Sequence, residues 1–157
     1  KGHTMPKHTD IPSFFAAHIA ADSQSENNIL VQKAKMAIAD LTEDYIAQLE
    51  QDIRDMDDFL ARAATADAET RFRLIRTDFF NKMHDMKGQG ATFGYPLLTD
   101  IGTYTCDFLR HKVGISDADL TVLKTMLSDT KTVLKKQITH ADSPAAAPIL
   151  AHIQLKD

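Results

Sequence analysis

The chain has 157 residues, 43% hydrophobic and 25% charged, with a formal net charge of −4. That is enough for one domain with its own core, while apolar runs of only a few residues are too short to span a bilayer. The scattered basic residues speak against a nucleic-acid binder, and the single cysteine, Cys106, excludes an internal disulfide and a cysteine-based zinc site. No apolar stretch opens "KGHTMPKHTD", so no signal peptide is expected and the cytoplasm is the natural compartment.

Residues 1 to 25 read as a polar, irregular arm with a small apolar knot at Ile11, Phe14, Phe15 and Ile19. From about Asn27, Leu30, Ala34, Ala37, Ile38 and Leu41 recur at helical steps, which suggests a short helix broken near Leu41 and Thr42. The next stripe is Ile46, Leu49, Ile53, Met56 and Leu60, with Thr42 as its expected N-cap and Glu43 and Asp44 in the first turn. "ATADAET" is a connection. A second stripe follows at Phe72, Ile75, Phe79, Met83 and Met86.

Then comes "KMHDMKGQGATFGYP", with three glycines and a proline in fifteen residues. Pro96 suits a first helical turn, and Leu97, Ile101, Tyr104 and Phe108 form the third stripe. Gly114 is expected to end that helix in a left-handed conformation. Ser116 and Asp119 are spaced as a capping pair before a fourth stripe at Leu120, Leu123, Leu127, Leu134 and Ile138. "DSPAAAP" is a linker and "ILAHIQL" a short terminal helix packing back on the body.

No stretch alternates as a strand does. The pattern predicts an all-α fold, an antiparallel up-down four-helix bundle over residues 41–140. An N-terminal arm with a short helix would occupy 1–40, and a linker with a short helix 141–157.

Helical geometry then places His84. At about 100° per residue, the second stripe stays within roughly 60°, and His84 falls about 130° from its middle. His84 is therefore expected off the core face. Phe80 and Lys87 share its flank, and Gly88 follows one turn on. Glycine there costs a helix on the order of 1 kcal/mol relative to alanine. It leaves bare backbone beside the imidazole, where another surface can approach. A nucleophile, a cation and an uncluttered apron suit a phosphoryl group.

"HDMKGQGATFGYPLLTDIG" resembles the signature of histidine-containing phosphotransfer (HPt) domains, including the related N-terminal domains of chemotaxis histidine kinases. The pattern is a histidine, a lysine three later, a glycine four later, small residues through the next turn, a glycine ten later and then a leucine. Here these are His84, Lys87, Gly88, Gly90 and Ala91, Gly94, and Leu97. The likeness covers roughly residues 70 to 112. It implies the same four-helix fold, with His84 as phosphoacceptor and Lys87 neutralising the phosphoryl oxygens. It further implies that Gly88 gives clearance for docking and that Gly94 permits the turn or close helix contact before the third helix. Some relatives carry a glutamine twenty-two residues after the histidine and an arginine four residues beyond it. Cys106 and Arg110 stand there, at the edge of the third stripe by the 100° rule.

The resemblance also implies a phosphorelay carrier acting with receiver domains of response regulators or hybrid histidine kinases. Most of the likeness is to monomeric carriers, although the N-terminal arm could mediate pairing; composition leads to no membrane or nucleic-acid partner being expected. The carrier would bind no cofactor or metal of its own, the Mg²⁺ belonging to the receiver. The chain has no glycine-rich ATP loop, so no kinase activity of its own is expected. Three other readings compete. An HPt-like binding module could dock on a receiver or kinase without accepting phosphate, although a degenerate relative would usually have lost His84 or Lys87. A di-metal bundle needs Glu-x-x-His pairs, and none of Glu26, Glu43, Glu50 or Glu69 supplies one. A purely structural adaptor leaves the glycines beside His84 unexplained. The other histidines, His3, His8, His18, His111, His140 and His152, read as solvated or incidental.

Overall fold

The computed structural model describes the backbone of residues 13–154 and the side chains from residue 24 onward. Every regular element among the described residues is helical, and the helices pack as a bundle. The proposed knot at Ile11, Phe14, Phe15 and Ile19, and His3, His8 and His18, lie outside the described side chains. Contacts divide the chain into two units with the boundary between Asp44 and Tyr45.

Helix α1 (Ser13–Thr65) is 53 residues long and passes Leu41 and Thr42 without the expected break. Thr42 does not cap it. Its Oγ1 donates instead to the Ile38 carbonyl at 2.8 Å, the back-bond of a threonine inside a helix. Residues 13 to 25 are therefore helical, not irregular. In the first unit Leu30, Ile38 and Leu41 are each about 60% exposed, so the helical stripe there faces solvent and no core.

The second unit holds the core. Tyr45, Leu49, Ile53, Met56 and Leu60 of α1 are buried in it, with Ile46 half-buried. Asp67 then caps a new helix by accepting the Thr70 amide at 2.7 Å. That rod runs as α2 (Ala68–Phe72), a π-helical segment (Arg73–Phe79) and α3 (Phe80–Gln89). Phe80 N–H bonds back five residues to the Ile75 carbonyl, the wide turn that defines a π segment. Ile75, Phe79, Met83 and Met86 are buried as their spacing requires; Phe72 is only half-buried. Each fully buried apolar side chain of this size contributes about 1.5–3 kcal/mol of transfer free energy.

Helix α4 (Pro96–Arg110) starts with Pro96 in its first turn. Its buried face is Leu97, Leu98, Ile101, Gly102, Thr105, Cys106 and Leu109, whereas Tyr104 and Phe108 are half-buried. The predicted stripe is rotated because Gly102, without a side chain, lets α4 turn that side against α3. The helix ends at Arg110, and His111 follows at φ −108°. Gly114 is not left-handed as expected; among the described glycines only Gly94 has positive φ.

Helix α5 (Asp117–Lys135) opens with the predicted capping box. Ser116 Oγ accepts the Asp119 amide and the Asp119 carboxylate accepts the Ser116 amide, both at 3.0 Å. Leu120, Leu123 and Leu127 are buried, Leu134 is half-buried, and Ile138 is buried just past the helix. Helix α6 (Ala147–Gln154) seats Ile149 in the core and packs on α4. Among the described residues no helix is long and apolar enough to cross a membrane.

Candidate functional site

His84 lies on α3 between buried Met83 and Met86, yet is itself exposed. Helical spacing accounts for this, because His84 falls about 130° from the middle of the buried stripe. One turn earlier Phe80, half-buried, presents its ring to the imidazole with centroids 6.2 Å apart and planes 23° from parallel. One turn before that, the Arg76 guanidinium sits 4.7 Å over the Phe80 ring.

Arg76, Phe80 and His84 thus form a row up one flank. Three residues at four-residue steps drift by about 40° per step in a regular α-helix. The π segment that ends at Phe79 changes that step, and Arg76 lies over the Phe80 ring. Arg76 Nη2 also donates to the Arg110 carbonyl at 3.0 Å, tying the π segment to the end of α4. Sequence reasoning missed Arg76. Eight residues before His84, it stands on a segment whose π geometry no local spacing announces.

Lys87 is half-buried one turn after His84. Gly88 is exposed, and a side chain there would meet nothing within 4 Å. The other glycines differ. Gly90 is buried, and an added Cβ would lie 2.9 Å from Leu98 Cβ and from the Thr99 amide nitrogen. It packs against α4 and is not an open docking position. Gly94 ends the short turn Ala91–Phe93 in the left-handed region, at φ 91°, and so serves the turn. Ala91 is exposed, and its amide donates to Thr99 Oγ1 at 3.0 Å.

Cys106 is fully buried, not at the edge of the helix face as its spacing suggested. Burial pushes its thiol up, against the opposing pull of Lys87, Arg110 and Arg76. The three cations that act on this thiol belong to the π segment, α3 and α4, and Asp107 works with burial against them. Arg110 is exposed and pairs with Asp107 on its own helix.

The structure therefore gathers His84, Phe80, Lys87 and exposed Gly88 along α3, with Arg76 and Arg110 around Cys106. It assigns Gly90 and Gly94 to the turn and to packing. Gly102, on α4, was also missed. Its signal was visible, since a glycine inside an apolar helical stripe costs about 1 kcal/mol and usually has a packing reason. His111 and His140 are exposed, but His152 is not incidental: its Nδ1 lies 2.8 Å from the Asp129 carboxylate.

An exposed imidazole with a lysine one turn away can act as a nucleophile toward an electrophile carried on another molecule. His84 lines none of the three larger grooves found among the described residues. A groove of about 580 Å³ lies elsewhere, lined by residues including Ile46, Ile53, Arg54, Tyr95 and Lys135, and takes in none of the candidate residues. Among the described residues no group of three or more His, Cys, Asp or Glu is placed to hold a metal ion. Comparison with protein-family models, with curated proteins and with solved structures returned no significant match.

Proposed function

We propose that the protein is a histidine phosphotransfer carrier of the HPt type, its helices arranged as an antiparallel up-down four-helix bundle. One observation carries the reading: His84 is exposed beside half-buried Lys87 and an open Gly88, while Met83 and Met86 on either side are buried. A core histidine or an inert surface residue requires no such clearing.

The partner is a receiver domain bearing an aspartyl phosphate. The imidazole lone pair forms the N–P bond as the P–O bond to the aspartate breaks. The receiver carboxylate leaves with that electron pair, and the proton on the other ring nitrogen passes to solvent. In-line geometry spreads charge over the equatorial oxygens, which the Lys87 ammonium would meet. Mg²⁺ and the remaining catalytic groups belong to the receiver. Both phosphorylated forms are energetic, so transfer runs in either direction.

The test is transfer of label from a phosphorylated receiver domain to the wild type and to His84→Gln. Acid-labile, alkali-stable phosphate on the wild type and none on the variant is the expected result. Stable binding without transferred label would instead identify a docking module.

A further inference from the structure

Resting on the phosphoacceptor reading of His84, we propose that Gly102 is a positioning residue for Lys87, fixing where its ammonium stands beside a phosphoryl group on His84. A Cβ built on Gly102 would lie 2.8 Å from Lys87 Cβ and 2.9 Å from its Cα and amide nitrogen. None of these atoms is the yielding tip of a side chain. The Lys87 stem leaves α3 directly against the bare Cα of α4.

Carbon atoms in contact settle at about 3.5–4.0 Å, so a methyl group at Gly102 demands a displacement of roughly 0.7–1.2 Å at Lys87. Gly90, the residue that follows α3 and lies three positions after Lys87, makes the reciprocal close approach toward Leu98 and Thr99. With α3 pinned at Gly90, the strain from a residue larger than glycine at 102 falls on Lys87. Rotating the side chain moves none of its Cβ, Cα and amide nitrogen, so the backbone of α3 at Lys87 must shift and carry the ammonium with it. Gly88 faces open space, so nothing on the outer side corrects the displacement.

The test uses the full chain phosphorylated by inorganic phosphoramidate, in which His84 forms its N–P bond as ammonia leaves the donor. Wild type, Lys87→Ala, Gly102→Ala and the double variant are compared for phosphorylation rate and phosphohistidine lifetime. Each single variant is expected to change these by about 10-fold, the scale of an ångström-sized misplacement or less. The double variant should be no worse than either single one. Multiplying effects, or a Gly102→Ala protein that behaves as wild type, would overturn the proposal.

Should Gly102→Ala not fold, the wild type still decides. Nuclear Overhauser contacts between the Gly102 α-protons and the Lys87 side chain are expected, and their absence overturns the placement. The phosphoacceptor reading fails separately, if neither phosphoramidate nor a receiver labels His84 in the wild type. The contacts between Gly102 and Lys87 would be unaffected by that result.

Discussion

The ring of Tyr45 lies flat on that of Phe93, centroids 4.4 Å apart and planes within 9°, while its buried hydroxyl has no hydrogen-bond partner. The stack is favourable and the stranded hydroxyl is not. Tyr45→Phe keeps the first and removes the second, so stability measured by urea unfolding should hold or rise by about 1 kcal/mol. Burial, with smaller contributions from Tyr95 and Asp52, pushes the Tyr45 phenol up to about 12. A group raised in this way stabilises the fold while neutral, and that contribution is lost as pH climbs through the raised value. The variant should therefore resist alkaline unfolding better than wild type.

The capping box at α5 gives a prediction of opposite sign. Burial works to raise the Asp119 carboxyl, but the Ser116 amide and the Lys112 ammonium, 3.0 Å away, outweigh it and hold the group below its ordinary range. Its contribution is present above about 3.8 and lost as pH falls through the lowered value. Ser116→Ala should cost about 1 kcal/mol at neutral pH. The cost of Asp119→Asn should shrink as pH drops below that range, and a pH-independent penalty would contradict the assignment.

Gly88 and Gly94 should separate stability from function. Gly88→Ala meets open space in a helical position and should stabilise the protein by about 1 kcal/mol. Under the docking reading it should nonetheless slow transfer from a receiver by at least about 10-fold. Gly94→Ala must hold φ 91° with a side chain and should cost about 1–2 kcal/mol. Unfolding midpoints paired with transfer rates decide both.

His152 joins α6 to α5 through Asp129. Burial pushes the Asp129 carboxyl up, with the His152 hydrogen bond pulling the other way. The stabilising form is then the neutral acid, so its contribution is complete below about 3.8 and lost as pH rises through the elevated value. Asp129→Asn stays neutral throughout. Its stability relative to wild type should grow between acid and neutral pH, and a constant difference across that interval would refute the sign.

Arg76 should matter to encounter more than to folding. Arg76→Ala gives up the contact over Phe80 and the bond to the Arg110 carbonyl, both near the surface. Transfer from a receiver should show a KM raised about 3- to 10-fold and a weaker salt dependence, as loss of a charge at the rim of an interface does. An unchanged salt dependence would reduce Arg76 to packing.

The exposure of His84 was legible because one local rule governs it: Ile75, Phe79, Met83 and Met86 set the core face, and His84 follows by subtraction. Ser116 with Asp119 was legible for the same reason, since a cap is decided within four residues. The uninterrupted α1 was not. Thr42 has the chemistry of a cap and of a helix interior alike, and its bond to the Ile38 carbonyl selects the latter. Nor was the burial of Cys106, which depends on how closely α4 approaches α3 at Gly102. Spacing along one helix carries no information about its neighbour. The π segment Arg73–Phe79 is likewise a property of the packed rod.

Cys106 offers one last use. It is the single thiol of the chain, fully buried on the inner face of α4. A bulky thiol reagent reaches it only when α4 lifts from α3, so the rate of modification becomes a clock for that opening. The protein thus carries its own reporter of local breathing under the His84 surface, readable without adding a label anywhere on the face itself.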